Sequence, residues 1–231
     1  MRSDKQPICI ITAMPSEYNA VISLLPETGI ESTLCGMNIF TCGDGTVIVA
    51  CCGVGKVNAA ICTQLLISKY NPKCIVSVGI AGGMTNTVKI CDMVISKSVR
   101  YHDTDDRLME KYHLHKSEFE SEPWLVKLAC DACVLTDNKF HIGRIVSGDL
   151  FLTNETVKKH IACRWTPLAI DMESAAIGQT AWQNGIPFVS LRCISDNADN
   201  NGVENYDEFE KAAAGKVAEA AYRLIEEIQK V

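Results

Sequence analysis

Three carboxylates stand at positions suited to acid–base chemistry. Glu17 closes Thr12-Ala-Met-Pro-Ser-Glu17, Glu173 closes Ile170-Asp-Met-Glu173, and Asp196 closes Leu191-Arg-Cys-Ile-Ser-Asp196. A carboxylic acid can protonate a leaving group and a carboxylate can take a proton from water, so such groups on one cavity suit general acid–base catalysis. Singly they say less, because an acidic residue at a helix start is ordinarily a cap or a dipole partner. Cys52-Gly-Val-Gly-Lys-Val57 and Val78-Gly-Ile-Ala-Gly-Gly83 could cradle a phosphate. Neither continues into the spacing of a dinucleotide fingerprint or a Walker loop, and short Gly-rich turns mostly serve only to turn the chain.

The elements that must position these groups follow from hydrophobic periodicity. Apolar, β-branched runs predict strands over 8–13, 74–79, 91–99 and 188–194, and a hairpin of 37–42 with 47–52 around Gly43-Asp-Gly45. Helices are predicted over about 16–25, 56–70, 123–135, 154–163, 171–184 and 206–229. The run 74–79 has no polar alternation beyond Ser77, as in a strand covered on both faces. Residues 101–121 turn polar and read as a long loop. Strand and helix alternation predicts one α/β domain, 1–231, built as a three-layer αβα sandwich. In such sheets ligands bind where strands end and loops begin, which is where the carboxylates stand. Ser147-Gly-Asp-Leu-Phe151 is a further junction of this kind.

Composition narrows the classes. The 231 residues are 47% hydrophobic and 22% charged, with net charge −6, which argues against disorder, collagen-like repeats and a coiled coil. The acidic balance and lack of a basic cluster argue against a nucleic-acid partner. No apolar stretch approaches the ~20 residues of a membrane span. The start of the chain carries no signal-peptide core, and most of the twelve cysteines sit in apolar runs. The expectation is a cytoplasmic protein with free, mostly buried thiols that serve as packing residues.

Seven motifs occur together and in order: Thr12-Ala-Met-Pro-Ser-Glu17, Gly53-Val-Gly-Lys-Val-Asn-Ala59, Gly79-Ile-Ala-Gly-Gly83, Arg100-Tyr-His-Asp103, Ser147-Gly-Asp149, Asp171-Met-Glu173 and Arg192-Cys-Ile-Ser-Asp196. Over residues 8–224 this series resembles 5′-methylthioadenosine/S-adenosylhomocysteine nucleosidases, of the nucleoside phosphorylase superfamily. The resemblance implies a central mixed, partly barrel-like sheet and a homodimer without cofactor or metal. It implies hydrolysis of an adenine nucleoside with a 5′-thioether, 5′-deoxyadenosine being a further candidate substrate. By the same resemblance Glu17 activates water, Glu173 binds the ribose hydroxyls and Asp196 protonates adenine N7. Met172 would lie against the ribose and Phe151 on adenine, with main-chain groups of Phe151 and Leu152 reading the base edge. Met14, Val54, Ile80, Gly82, Arg192 and Ser195 would complete the substrate site, with Tyr206 on its 5′ side.

The chemistry is consistent with those roles. Adenine leaves more readily as a neutral base than as an anion, so an acid near N7 lowers the barrier, and a raised pKa on a buried Asp would suit it. Carboxylates stabilise the oxocarbenium-like charge left on the ribose. A phosphate nucleophile would need cationic and N–H donors. The carboxylate-bearing and Gly-rich junctions offer one arginine, Arg192, and Glu17, which would repel phosphate by on the order of several kcal/mol in a site of low dielectric. Hydrolysis is therefore expected over phosphorolysis. The alternatives are a related purine nucleoside phosphorylase, an aminodeoxyfutalosine nucleosidase and, in another class, a non-catalytic nucleoside-binding protein.

Two departures from the pattern stand out. Ile80 occupies the position before Ala-Gly-Gly where many members of the family have serine, so Arg192 would carry more of the water's positioning. The segment 106–122 lacks the family's apolar cover for the 5′ substituent, and Leu108, Met109 and Leu114 are its best candidates. Three other signals read as structural. Asn197-Ala-Asp-Asn-Asn-Gly202 with Glu208 departs from a calcium loop at its first and eighth positions and reads as a polar loop over adenine. Cys130-Asp-Ala-Cys133 lies in a predicted amphipathic helix without a second Cys pair. The acidic run after His102 reads as hydrogen-bonding structure.

Overall fold

In the computed structural model, which describes residues 6–112, 114–198 and 202–231 and omits the side chains of 202–208, ten strands join one sheet. Its open part runs in the order β2 (Ile30–Leu34), β3 (Met37–Thr41), β4 (Val47–Cys51), β1 (Ile8–Thr12) and β5 (Cys74–Gly83). β1 is parallel to β4 and β5, whereas β2, β3 and β4 form an antiparallel meander. Beyond β5 the sheet curls. β5 pairs with β10 (Phe188–Asp196), β10 with β6 (Met93–Tyr101), β6 with β8 (Phe140–Ser147) and β8 with β9 (Ala169–Asp171). β9 then returns to β5 at Gly82 and Gly83, closing a five-stranded barrel. β5 serves both parts because residues 74–77 face β1 and Gly82 and Gly83 face β9 on the same edge. β7 (Glu118–Glu120) extends β6.

Helices cover both faces, as the buried run 74–79 requires. Val76, Val78 and Ile80 of β5 pack into a core shared with α1 (Pro15–Ile22), α4 (Pro123–Leu135) and α7 (Gly202–Gln229). Ile75 and Ala81 point the other way, into a core shared with α2 (Lys56–Tyr70) and α6 (Ser174–Gln183). That alternation is the two-residue period of a strand. Local chemistry sets the helix ends. At the end of α2, Asn71 takes the left-handed conformation at φ 47°, its N–H bonds Ile67 O at 2.9 Å, and Pro72 prevents continuation. At the start of α5 (Glu155–Trp165), Asn154 Oδ1 accepts the N–H groups of Thr156 and Val157 at 2.9 and 3.1 Å.

The three-layer expectation holds, with corrections of detail. Gly79-Ile-Ala-Gly-Gly83 is not a loop but the continuation of β5. Residues 101–121 are not one loop: they contain α3 (Asp106–Lys111) and β7. Strands β2, β8 and β9 were not read from periodicity. β2 is an almost fully exposed edge, β8 mixes exposures and β9 has three residues, so none shows a clean pattern. In segment 106–122, Met109 and Leu114 pack on the chain's own core and Leu108 is exposed; Tyr112, overlooked from sequence, is 59% exposed. Among the described residues no helix is long and apolar enough to cross a membrane.

All twelve cysteines are free thiols. Burial pushes Cys62, Cys74, Cys133 and Cys193 up to about 12, so they act as small hydrophobes. The packing role does not extend to every thiol: Cys35 and Cys163 are exposed, and Cys35 sits at φ 50° in the β2–β3 turn.

Leu125, fully buried where α4 meets the sheet, tests this packing. Leu125→Ala is expected to lower stability by about 2–5 kcal/mol, read as a lower urea midpoint at unchanged slope.

Candidate active site

The three carboxylates come from three different chain segments and reach one cavity of about 550 Å³. Glu17 stands in the first turn of α1. Its Oε2 accepts the N–H groups of Ala13 and Met14 at 2.9 and 3.0 Å, and its Oε1 accepts that of Ile80 at 2.9 Å. The cap reading and the site reading of Glu17 are thus both satisfied by one side chain. The reach to Ile80 depends on Gly79, where a Cβ would stand 2.5 Å from Glu17 Oε1. Glu173 follows β9 as the N-cap of α6, and its Oε1 accepts the Gly55 N–H at 2.8 Å. Gly55, at φ 100°, takes a backbone shape that favours glycine. Asp196 ends β10 just past a register shift; its Oδ1 accepts the Ala198 N–H at 2.7 Å and its Oδ2 accepts the Ser195 hydroxyl at 2.9 Å.

Most of the site residues expected from sequence line this cavity. Met14, Val54, Ile80 and Gly82 do so with Glu17, and Phe151, Met172 and Ser195 with Glu173 and Asp196. Leu152 lines a small adjoining cavity with Phe151. The side chain of Tyr206 and residues 199–201 of the expected polar loop lie outside the described residues, and from Gly202 on that run is the start of α7, not a loop.

Arg192 is the exception. It does not line the cavity; Nε donates to Asp171 Oδ2 at 2.8 Å and Nη2 to Ser77 Oγ at 2.8 Å, within the barrel. Its guanidinium is therefore committed to these two groups, while its charge still acts on Glu17 and Glu173. Asp171, to which sequence reasoning assigned no role, lines the cavity as its partner. Its place two residues before Glu173 was visible; its pairing with Arg192 depends on which strands adjoin.

Electrostatics separate the carboxylates. Burial pushes Glu17 above the usual carboxylate range, opposed by Arg192 and by its three N–H donors. Glu173 is pushed up to about 8, first by burial and then by the charge of Asp171. Gly55 N–H and Arg192 act in the opposite direction, and Glu17 adds to the rise. Such carboxyls can hold or take a proton near neutral pH. Among the described residues no group of three or more His, Cys, Asp or Glu is arranged to hold a metal ion. Asp103 and Asp106, in the acidic run after His102, are paired with Lys56 and with Arg100 and Arg164.

A raised folded-state pKa means that Glu173 contributes stability below about 4.5, its unfolded value, and loses it as pH rises through about 8. Glu173→Gln should therefore raise the melting temperature of the unliganded protein at about pH 9, with the gain vanishing towards pH 4.5. A gain that is the same at both ends of the scan would contradict the assignment.

A profile described as the phosphorylase superfamily matches residues 7–230. A 5′-methylthioadenosine/S-adenosylhomocysteine nucleosidase of Shewanella sp. (strain MR-7) is 34% identical, covering 96% of this chain and 97% of that one. The solved nucleosidase of the same name from Neisseria meningitidis, in complex with methylthio-immucillin-A, aligns with a TM-score of 0.88 at 28% identity, covering 96% of this chain and 99% of that one. A futalosine hydrolase of Helicobacter pylori aligns with a TM-score of 0.90 at 25% identity over 96% of this chain and 98% of that one. The chain belongs to the 5′-methylthioadenosine/S-adenosylhomocysteine nucleosidase family of the phosphorylase superfamily.

Proposed function

We propose that this chain hydrolyses the N-glycosidic bond of 5′-methylthioadenosine and S-adenosylhomocysteine, releasing adenine and the thioribose. The observation that carries the reading is the convergence of Glu17, Glu173 and Asp196 on one cavity in a member of this family. Asp196 gives its proton to adenine N7 as the C1′–N9 bond breaks and the electron pair leaves with the base. Water adds to C1′, and Glu17, held by three N–H groups, accepts its proton. Glu173 as carboxylate accepts hydrogen bonds from the 2′- and 3′-hydroxyls and stabilises the cationic ribose.

Ile80 puts an apolar side chain on the cavity wall while its N–H holds Glu17, so Glu17 itself orients the water. Phe151, which lines the cavity and is 42% exposed, supplies the aromatic face on which adenine stacks. The working form is a single-domain cytoplasmic homodimer, in which Leu108 and Tyr112, 55% and 59% exposed, are the apolar groups to be covered. A second reading, an aminodeoxyfutalosine nucleosidase, is favoured by the likeness to the futalosine hydrolase.

The test is to incubate the protein with methylthioadenosine, S-adenosylhomocysteine, aminodeoxyfutalosine and inosine, with and without phosphate, and to identify base and sugar. Adenine and free thioribose without phosphate are expected. A phosphate requirement with ribose 1-phosphate as product, or tight binding of the adenine nucleosides without turnover, would defeat the reading. Glu17→Gln and Asp196→Asn should each lower adenine release by about 10²–10⁴-fold with the fold retained; near-normal activity in either removes that residue's role.

A further inference from the structure

One charged cluster supports the site without lining it. Lys56, the first residue of α2, sits between Asp103, which follows β6, and Asp149, which follows β8. Its Nζ lies 2.7 Å from Asp103 Oδ2 and 3.3 Å from Asp149 Oδ2. Its own N–H donates to Asp149 Oδ1 at 2.9 Å, and the N–H of Asp149 donates to Asp103 Oδ2 at 3.1 Å. The ammonium also stands 5.5 Å from the centre of the Tyr101 ring, whose hydroxyl donates to Gln179 of α6.

Two successive N–H groups at the start of α2 thus go to two carboxylates from other segments, Gly55 to Glu173 and Lys56 to Asp149. Asp149 in turn stands two residues before Phe151 at the cavity. We propose that Lys56, with Asp103 and Asp149, is a positioning device that fixes the start of α2 against the 147–151 loop, keeping the Gly55 N–H on Glu173 and Phe151 at the cavity. The side chains are 23%, 30% and 51% exposed, so as ion pairs they contribute little to folding. Their effect falls on geometry: a shift of the helix start too small to unfold anything breaks the short bond to Glu173.

The consequence for turnover rests on the nucleosidase reading; the consequence for Glu173 does not. The titratable and donor groups that face Glu173 are Asp171, Glu17, Arg192, the Cys52 thiol and the Gly55 N–H. Losing that N–H raises the carboxyl's midpoint. Lys56→Met and Asp103→Asn remove charges of opposite sign. A through-space effect would therefore move the Glu173 midpoint up in the first and down in the second. Loss of positioning moves it up in both.

The measurement is the ¹³C carboxyl titration of Glu173 in the unliganded protein, its resonance assigned by its absence in Glu173→Gln. The expected result is a rise of about half a pH unit or more in both variants, with Lys56→Arg restoring the parent midpoint and melting temperatures close to the parent's. Adenine release, as kcat/KM, should fall about tenfold in both. A midpoint that does not rise in both variants overturns the proposal. A rise in both with no adenine released by the parent protein overturns the nucleosidase reading and leaves the positioning role standing.

Discussion

The contact on which the rest of the site depends is the ion pair between Arg192 and Asp171, 2.8 Å apart with side chains 3% and 2% exposed. Ions taken out of water hold together only if their remaining hydrogen-bond positions are filled. Here they are: Arg192 donates to Ser77, and Asp171 accepts from the hydroxyls of Ser147 and Ser174 and the Ser174 N–H. Ser77, Ser147, Asp171 and Arg192 belong to β5, β8, β9 and β10, so the network ties four of the five barrel strands at one level. Removing one partner strands the other, at about 3–5 kcal/mol. Site groups follow within four residues of these anchors: Ile80 after Ser77, Phe151 after Ser147, Glu173 after Asp171 and Asp196 after Arg192. The same pair spreads its charges unevenly. Arg192 holds down both Glu17 and Glu173, whereas Asp171 pushes Glu173 up.

A second constraint is the shared strand. β5 carries the open sheet in its first half and the barrel in its second, and its glycines lie where side chains from other elements must come close. A Cβ at Gly79 would collide with Glu17, and one at Gly82 would stand 2.9 Å from Ala198 Cβ and 3.0 Å from Asp196 Oδ1. Glycine here is the means by which carboxylates from α1 and β10 approach a strand backbone. The reading of Gly79-Ile-Ala-Gly-Gly83 as a turn failed for this reason: the missing side chains make room for other groups and do not bend the chain out of the sheet.

That contrast marks how far the sequence was legible. α2 and α4 have the bounds their periodicity predicts, and β1, β4 and β10 begin where the apolar runs begin, because both faces of this sheet are buried and the pattern is strong. β8 and β9 close the barrel yet have weak patterns of their own, since their neighbours, not their own composition, make them strands. The site divides the same way. Glu17, Glu173 and Asp196 stand in motifs with recognisable order. Arg192, expected among the substrate-binding groups, is absent from the cavity lining, because an arginine in a site motif reads as a ligand group until its partner is known. That partner, Asp171, is set by the pairing of β8, β9 and β5, which no local spacing encodes.

The choice of nucleophile can be argued from what already occupies the anion position. The N–H groups of Ala13, Met14 and Ile80 converge as donors for an oxyanion, the arrangement that a phosphate would use. In this chain all three are bound to the carboxylate of Glu17, an anion supplied by the protein itself. A phosphate would have to displace it or sit beside it, and two unit charges 4 Å apart at an effective dielectric of 20 repel by about 4 kcal/mol. Arg192, whose charge already acts on Glu17, is paired with Asp171 and bonded to Ser77, so less of it is left to offset that repulsion. Water meets neither obstacle. It is neutral, it donates to a carboxylate that is already oriented, and the burial that raises Glu17 makes that carboxylate a better proton acceptor. On the proposed reading, then, the groups that would bind the nucleophile in a phosphorylase hold the base in this hydrolase.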